Sequence, residues 1–304
     1  MEVSTRPDES SEASAASADA APAPAVVRPR RFGWVREAAL ILAFYYVYQT
    51  IRSFANSGNV SPRAFANANR LVSLEQHMHI FVEQPIQEAL LSARWLIRAL
   101  NVYYGTLHFA ITAGLLIWVY HYRHAAYRRM RNLLGITTGL ALIGYWAFPL
   151  APPRLLKWHG FVDTLDTIGG LWSYNSPVAK AVANPFAAMP SLHFGWALWC
   201  GMVFWTLTSN RWGRAMAFIY PFLTLSAIVI TANHYFLDAV GGAIVFGAAL
   251  LIQNAWERSM ARRHAKSVDR PAAEAAGSAP PGAEAAGSAP PGADAQELGG
   301  VTTR

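Results

Sequence analysis

Two ionisable side chains, His234 and Asp238, stand four positions apart in the segment TANHYFLDAV, inside a run of apolar and small residues. On a helix this spacing puts both side chains on one face, with Cβ atoms about 6 Å apart. The carboxylate can then accept the Nδ1 hydrogen bond of the imidazole, which leaves Nε2 available as a nucleophile or a base. A hydrogen bond that only closes a helix end is the alternative interpretation.

A second candidate for chemistry lies in the segment AAMPSLHFGW, residues 187–196. Pro190 suits the first turn of a helix, because proline lacks the N–H that would be unpaired there. Ser191 and the neighbouring N–H groups would then point outward from a positive helix end, which can bind an anion. His193 follows within the first turn. Its alternative role is that of an interfacial histidine that hydrogen bonds water.

The third candidate, Arg154, follows a proline-rich turn in the segment FPLAPPRLLKWHG, residues 148–160. Pro149, Pro152 and Pro153 end the preceding apolar run and hold a stiff, extended turn. A guanidinium held in this way presents a fork of donors that matches a phosphate. An arginine that extends toward the lipid headgroups is the alternative.

Membrane helices must position these groups, because the chain is 53% hydrophobic and only 14% charged, whereas soluble domains carry roughly 25% charged residues. Six apolar segments each approach the ~20 residues that a helix needs to cross a bilayer. They are residues 34–54, 101–120, 132–149, 191–208, 213–232 and 235–255. The more polar region 60–98 predicts amphipathic helices along the interface. The expected fold is an all-α integral-membrane bundle of six transmembrane helices with interfacial helices.

Basic residues beside the spans predict the orientation, because lysine and arginine are enriched in cytoplasmic loops. Four basic regions lie on one side of a six-span chain, at residues 28–36, 123–131, 211–214 and 258–266. We therefore expect a multi-pass cell-membrane protein with both termini in the cytoplasm and the three motifs at the extracytoplasmic face. The net charge of +7 is then explained by the basic residues that orient the protein in the lipid bilayer. We expect no nucleic-acid partner.

The domain organisation follows from composition. Residues 1–30 are predicted as a disordered cytoplasmic leader, 31–258 as the membrane catalytic domain and 259–304 as a disordered cytoplasmic tail. The tail contains AEAAGSAPPG twice in tandem, a composition that cannot bury enough apolar surface to order itself. The single cysteine, Cys200, excludes an intramolecular disulfide and a thiolate metal cluster. We expect it to pack between helices.

His108 is a further ionisable residue within a predicted span. It lies in NVYYGTLHFA together with Tyr103 and Tyr104. We interpret it as a buried, hydrogen-bonded packing residue, and contact with a substrate is the alternative.

The order of the motifs resembles the type-2 phosphatidic acid phosphatase superfamily of integral-membrane lipid phosphatases and phosphotransferases. The resemblance covers about residues 95–255, and PSLH at 190–193 with HYFLD at 234–238 is most similar to the branch that contains fungal inositol phosphorylceramide synthase. It implies that superfamily's fold and a reaction on a membrane lipid phosphate or phosphodiester, without a metal or other cofactor. The acceptor would be an alcohol such as inositol or a glycolipid in a transferase, or water in a phosphatase.

The resemblance also implies a role for each matching residue. His234 would attack phosphorus and form a phosphohistidine, and Asp238 would orient that imidazole. His193 would protonate the leaving alkoxide. Ser191 with the helix-start N–H groups would bind the phosphate oxygens, and Arg154 would neutralise them. Such roles suit phosphoryl transfer, because its loose transition state needs positioning and positive charge more than covalent assistance.

The first motif of this chain departs from the broad family. The family has a lysine several residues before Arg-Pro, but here the position six or seven before Arg154 is Phe148 or Ala147, and Leu155 replaces the proline. One phosphate-binding cation is therefore missing from its usual place.

The later motifs depart as well. The family usually has Ser-Arg shortly before the third-motif histidine, where this chain has Ala227 and Ile228, and its PSGH becomes PSLH with Leu192. Lys157 or Lys180 are candidates to supply the missing charge. These departures favour the inositol-transferring branch over plain phosphatases.

Two other functions stay open on the sequence. A metal-dependent membrane hydrolase could use His193, His234 and Asp238 as ligands, because two histidines and a carboxylate can bind zinc. A non-enzymatic lipid-binding or transport protein would retain its function without His234.

Overall fold

The computed structural model of the chain describes residues 60–171 and 185–277, together with helical positions between 35 and 50. Outside the described residues lie the leader before those positions, much of the predicted first span, residues 172–184 with Lys180, and residues 278–304 with most of the repeat.

The chain divides into two compact units, Met1–Ser53 and Phe54–Arg304. In the first unit, the Thr50 hydroxyl donates to the Tyr46 carbonyl oxygen at 2.9 Å, a contact across one helical turn. All further elements belong to the second unit.

Helices make up the second unit, and its described residues contain no β-strand. In chain order they are α1 (Val60–His77), α2 (Glu83–Leu90), α3 (Arg94–Val102), α4 (His108–Tyr122), α5 (His124–Ala147), α6 (Thr164–Thr167), α7 (Leu192–Leu207), α8 (Arg211–Ile230) and α9 (Phe236–Gly277). A π-helical turn, Tyr103–Leu107, joins α3 to α4, and two short 3-10 turns, Pro153–Leu155 and Lys157–His159, follow α5. The all-α prediction is thus confirmed for the described residues.

Three helical stretches in the described residues are long and apolar enough to cross a membrane: Arg94–Tyr122, Arg211–Ile230 and Phe236–Ala265. They correspond to the second, fifth and sixth predicted spans and indicate a membrane protein. Helix α7 matches the fourth predicted span and is apolar but has 16 residues, fewer than the ~20 that cross a bilayer. Helix α5 covers most of the third predicted span without being among the three. The count of six stays a prediction.

The core lies around α7, which packs against α5, α8 and α9. Trp199 of α7 is fully buried, and its indole N–H donates to the Met130 carbonyl oxygen of α5 at 2.9 Å. Cys200 is buried beside it, with its sulfur 3.6 Å from the Thr112 hydroxyl. The prediction that this cysteine packs between helices is confirmed.

Helices α1 and α2 occur where interfacial amphipathic helices are predicted, but they bury polar side chains. Glu75, Glu83 and Gln87 are almost fully buried. The Gln87 amide donates to the Val162 carbonyl oxygen at 3.0 Å and accepts from the Val162 N–H at 2.9 Å. These two helices therefore pack on the loops between the longer helices, which a simple division into a lipid face and a water face does not predict.

Candidate active site

His234 lies in a short turn between α8 and α9. Its N–H donates to the Ile228 carbonyl oxygen at 3.1 Å, which folds the chain back at the end of α8. Helix α9 begins at Phe236, so His234 precedes the helix and Asp238 stands in its first turn. The prediction that the pair lies on one helix face is therefore wrong, although the turn still brings the two side chains together.

The His234 imidazole has two acceptors at one nitrogen. Its Nδ1 lies 2.9 Å from the Ala188 carbonyl oxygen and 3.3 Å from Asp238 Oδ2. Both acceptors require a proton on Nδ1, so the lone pair belongs to Nε2. The side chains of His234 and Asp238 are 4% and 0% exposed, and Nε2 has no hydrogen-bond partner among the described residues. A buried imidazole with an open Nε2 can act as a nucleophile.

Two glycines let the turn before α7 fit between α5 and α9. A Cβ on Gly144 of α5 would meet the Pro190 ring, and a Cβ on Gly242 of α9 would meet the Ser191 carbonyl oxygen. Ser191 is the N-cap of α7, and its hydroxyl oxygen accepts from the Phe194 N–H at 3.4 Å. Pro190 therefore precedes the cap, and the prediction that it occupies the first helical turn is wrong.

The start of α7, which is bonded to Asp238, has backbone N–H groups without an acceptor in the described residues. The Ser191 N–H donates to the Asp238 carbonyl oxygen at 2.8 Å, which ties α7 to α9. The N–H groups of Leu192 and His193 have no acceptor in the part of the chain that the structure describes. Such N–H groups, together with the positive end of the helix dipole, favour an anion.

His193 and His234 are neighbours. Their ring centroids lie 5.7 Å apart and their planes are inclined by 57°. His193 also stacks on Tyr104, with centroids 4.2 Å apart. Like His234, it has a buried Nε2 with no hydrogen-bond partner in the described ranges. Two imidazoles with open Nε2 atoms therefore adjoin, and such a pair can supply a nucleophile and a proton donor.

Arg154 lies on the turn that packs against the His234 loop. Its backbone N–H donates to the Ala232 carbonyl oxygen at 2.8 Å. Its guanidinium Nη1 donates to Asp163 Oδ2 at 2.7 Å, in a buried ion pair. Asp163 in turn accepts from the N–H groups at the start of α6. The guanidinium is held rigidly, as the proline-rich turn predicts, but by a carboxylate that sequence spacing did not reveal.

The π-helical turn Tyr103–Leu107 brings two side chains to His193. One is the stacked Tyr104, and the other is His108, whose ring centroid lies 5.1 Å from that of His193. His108 is fully buried, and its Nδ1 hydrogen bonds the Tyr220 hydroxyl at 2.9 Å. The prediction of a buried, hydrogen-bonded residue is confirmed. A π-turn inside a helix often marks a functional site, and apolar periodicity gave no sign of it.

Two glutamates of α1 and α2 reach the start of α9. Glu75 accepts from the Leu237 N–H at 2.9 Å, and Glu83 accepts from the Phe236 N–H at 2.5 Å. Burial raises the pKa of Glu75 to about 8, and the nearby negative charge of Glu83 adds to the rise. Burial likewise raises the pKa of Glu83. Sequence reasoning missed both residues, because α1 and α2 pattern as surface helices.

The described residues also bear on two other candidate groups, a metal ion and a substitute lysine. No group of three or more His, Cys, Asp or Glu side chains within them could hold a metal ion. Lys157, proposed as a substitute cation, is exposed on the turn after Arg154, and Lys180 lies outside the described part.

Comparison with known proteins identifies a family for this chain. A family model described as the PAP2 superfamily matches residues 69–252, more than half of the chain. No curated protein and no solved structure matches. The matched range contains every residue of the candidate site described above.

Proposed function

The chain belongs to the PAP2 superfamily, whose members are phosphatases and phosphotransferases, and on this premise we propose that it is a membrane enzyme which cleaves a lipid phosphate or phosphodiester through a phosphohistidine on His234. The observation that carries the proposal is the neighbouring pair of buried imidazoles, His193 and His234, each with an open Nε2. Buried polar atoms are normally paired, so two adjacent unpaired nitrogens are suited to a polar ligand.

In the first half-reaction, His234 Nε2 attacks phosphorus. An N–P bond forms while the P–O bond to the leaving alkoxide breaks. His193, which starts as an imidazolium, gives a proton to that oxygen and becomes neutral. In the second half-reaction, His193 takes the proton of the acceptor hydroxyl. The acceptor oxygen then forms a new P–O bond as the N–P bond breaks, which restores His234.

Asp238 and the Ala188 carbonyl oxygen support His234 during transfer. Both accept at Nδ1, which holds the ring orientation and the tautomer. Attack on phosphorus makes the ring cationic, and the negative charge of Asp238 stabilises that cation. The carbonyl supplies orientation, and the carboxylate supplies orientation and charge.

The phosphate oxygens would bind the start of α7 and Arg154. The open N–H groups of Leu192 and His193, with Ser191 at the cap, provide donors at the positive end of α7. A guanidinium has five N–H donors, so Arg154 can bind a phosphate oxygen while it keeps Asp163.

We favour transfer to an alcohol, such as inositol or a glycolipid, over release to water. The resemblance of the PSLH and HYFLD motifs to the inositol-transferring branch supports this. The burial of His234 and Asp238 also supports it, because a site closed to water protects the phosphohistidine from hydrolysis. A phosphatase is the second candidate, since both reactions share the same first half.

The proposed setting is the cell membrane, with six spans and the site at the extracytoplasmic face. The helices that can cross a bilayer and the distribution of arginines beside the spans support it. Residues 1–30 and 259–304 would be cytoplasmic segments on either side of the catalytic domain 31–258.

The test is product analysis with labelled lipid phosphates and phosphodiesters, with and without inositol. We expect turnover by the wild-type protein in the presence of a chelator, and none by His234→Ala or His193→Ala. His121→Ala is the matched control, because His121 is exposed at the end of α4. Turnover by His234→Ala would contradict the covalent route, and loss on chelation with recovery on added metal would favour the metal-dependent alternative.

A further inference from the structure

Three carboxylates, from three different elements, cap the start of α9. The N–H groups of Tyr235, Phe236 and Leu237 donate to Asp238, Glu83 and Glu75 respectively. These are the donors that a helix start leaves unpaired. The turn that carries His234 is therefore held by one local carboxylate, Asp238, and by two glutamates from the distant helices α1 and α2.

Glu75 and Glu83 form a fully buried pair, each 0% exposed. One oxygen of each accepts from the α9 backbone, and the other, Oε2, has no N–H or O–H donor among the described residues. The Phe236 and Leu237 N–H groups that they bind are adjacent in the chain, so the two carboxyl groups lie side by side. Because two ionised carboxylates repel each other in a buried site, a proton on one of them stabilises this arrangement.

We propose that Glu75 and Glu83 hold one proton between them and act together as positioning residues for the His234–Asp238 dyad. The positioning role rests on the proposed function, because that function makes His234 and Asp238 a catalytic pair. The shared proton is a property of the fold and does not depend on the reaction. The raised pKa of both groups agrees with it.

The pair serves the site in two ways. It occupies the N–H groups at the start of α9, so a phosphate finds open backbone donors at the start of α7 and not beside Asp238. With one proton it also carries a single negative charge, whose neighbours are Asp238 and the Tyr235 hydroxyl. Loss of that proton would raise the charge of the pair from one negative charge to two. The added repulsion with Asp238 would destabilise the turn.

Glutamine tests the shared proton directly. In Glu75→Gln, the amide oxygen can accept from the Leu237 N–H, and the amide N–H₂ can donate to Glu83 as the proton does. Glu83→Gln is the mirror-image change. We expect each glutamine variant to keep kcat within roughly threefold of the wild type, and each alanine variant to lose about tenfold or more, because alanine leaves a buried N–H and a buried carboxylate unpaired. Glu88→Gln is the matched control, because Glu88 is exposed on α2.

Thermal unfolding of the full-length protein in detergent gives a readout that needs no substrate. A carboxyl whose pKa is raised by folding binds its proton more tightly in the folded state, so stability is highest below the unfolded pKa and falls as pH rises toward the folded value. For Glu75 this window runs from 4.5 to about 8. The wild-type and Glu88→Gln proteins should lose Tm across this window, and Glu75→Gln should lose no more than about half as much. Glu83 stays buried in Glu75→Gln and its pKa is also raised, so part of the slope remains.

The outcomes separate the pair from the reaction. If no lipid is turned over by the wild type but Glu75→Gln flattens the Tm profile, the proposed function fails and the shared proton stands. If Glu75→Gln and Glu75→Ala are equally impaired in kcat, or Glu75→Gln keeps the wild-type Tm profile, the shared proton is overturned even when the wild type is fully active. A glutamine variant that does not fold also overturns it, because the amide should reproduce both hydrogen bonds.

Discussion

Replacing Asp238 by asparagine separates the charge of this side chain from its hydrogen bonds. The amide oxygen can still accept from the Tyr235 N–H, which Asp238 binds at 3.0 Å. His234 Nδ1 also keeps the Ala188 carbonyl oxygen at 2.9 Å, a shorter contact than the 3.3 Å to Asp238. We therefore expect Asp238→Asn to fold and to keep the proton on Nδ1.

The size of the loss in kcat follows from the contacts that His234 keeps in Asp238→Asn. In a serine-protease triad, the equivalent change lowers kcat by about 10⁴-fold because the imidazole adopts the wrong tautomer. Here the Ala188 carbonyl holds the tautomer, so only the stabilisation of the cationic ring is lost. One such preorganised electrostatic contact is worth about 10²–10³-fold in kcat, or roughly 2.7–4 kcal/mol. We expect a loss in that range with little change in KM.

Single-turnover cleavage of a labelled lipid phosphate measures this loss, with Asp166→Asn as the control because Asp166 is an exposed carboxylate of α6. Two results would refute the reasoning. A loss as complete as that of His234→Ala would mean that the Ala188 carbonyl does not set the tautomer. A loss below about threefold would mean that the charge of Asp238 is not used in the transition state.

Three further changes test other parts of the site. Arg154→Lys should lower kcat/KM by about tenfold or more, because an ammonium cannot bind Asp163 and a phosphate with the fork of a guanidinium, and an unchanged value in steady-state kinetics would remove Arg154 from the phosphate site. Gly242→Ala should destabilise the protein by about 1–3 kcal/mol in denaturant unfolding, because the new Cβ meets the Ser191 carbonyl oxygen. Gly247→Ala is the control, because a Cβ at that position meets nothing within 4 Å. Equal stability of the two variants would contradict the packing. His108→Phe removes a buried nitrogen beside His193 while it keeps an aromatic ring in contact with it. Because His108 is a buried packing residue, this variant should leave the yield of trapped phosphoenzyme unchanged, and a lower yield would assign His108 to the first half-reaction.

The sequence predicts which side chains of the site lie together better than it predicts the local backbone that brings them together. The HxxxD spacing identifies His234 and Asp238 as partners, and the contact between them is present. The helical reason for that contact is wrong, because α9 starts after His234. A start signal for α9 is hard to recognise in this sequence, since the donors at that start are capped by Glu75 and Glu83, more than 150 positions away along the chain.

Long-range contacts explain the other differences. The ion pair of Arg154 with Asp163 spans a loop with no regular period, so no spacing rule applies to it. The Ala188 carbonyl reaches His234 through the backbone pairing of Leu150 with residues 186–188, which leaves no trace in side-chain pattern. In contrast, the burial of His108 and Cys200 follows directly from their place in apolar runs.

The central claim is a covalent bond between phosphorus and the His234 ring. Brief incubation of the wild-type protein with a lipid labelled at phosphorus, followed by alkaline quenching and peptide mapping, tests it most directly. The account predicts an acid-labile label on the peptide that contains His234, present in the wild type but absent from His234→Ala. A label on any other residue, or full turnover with no label on the protein, would contradict it.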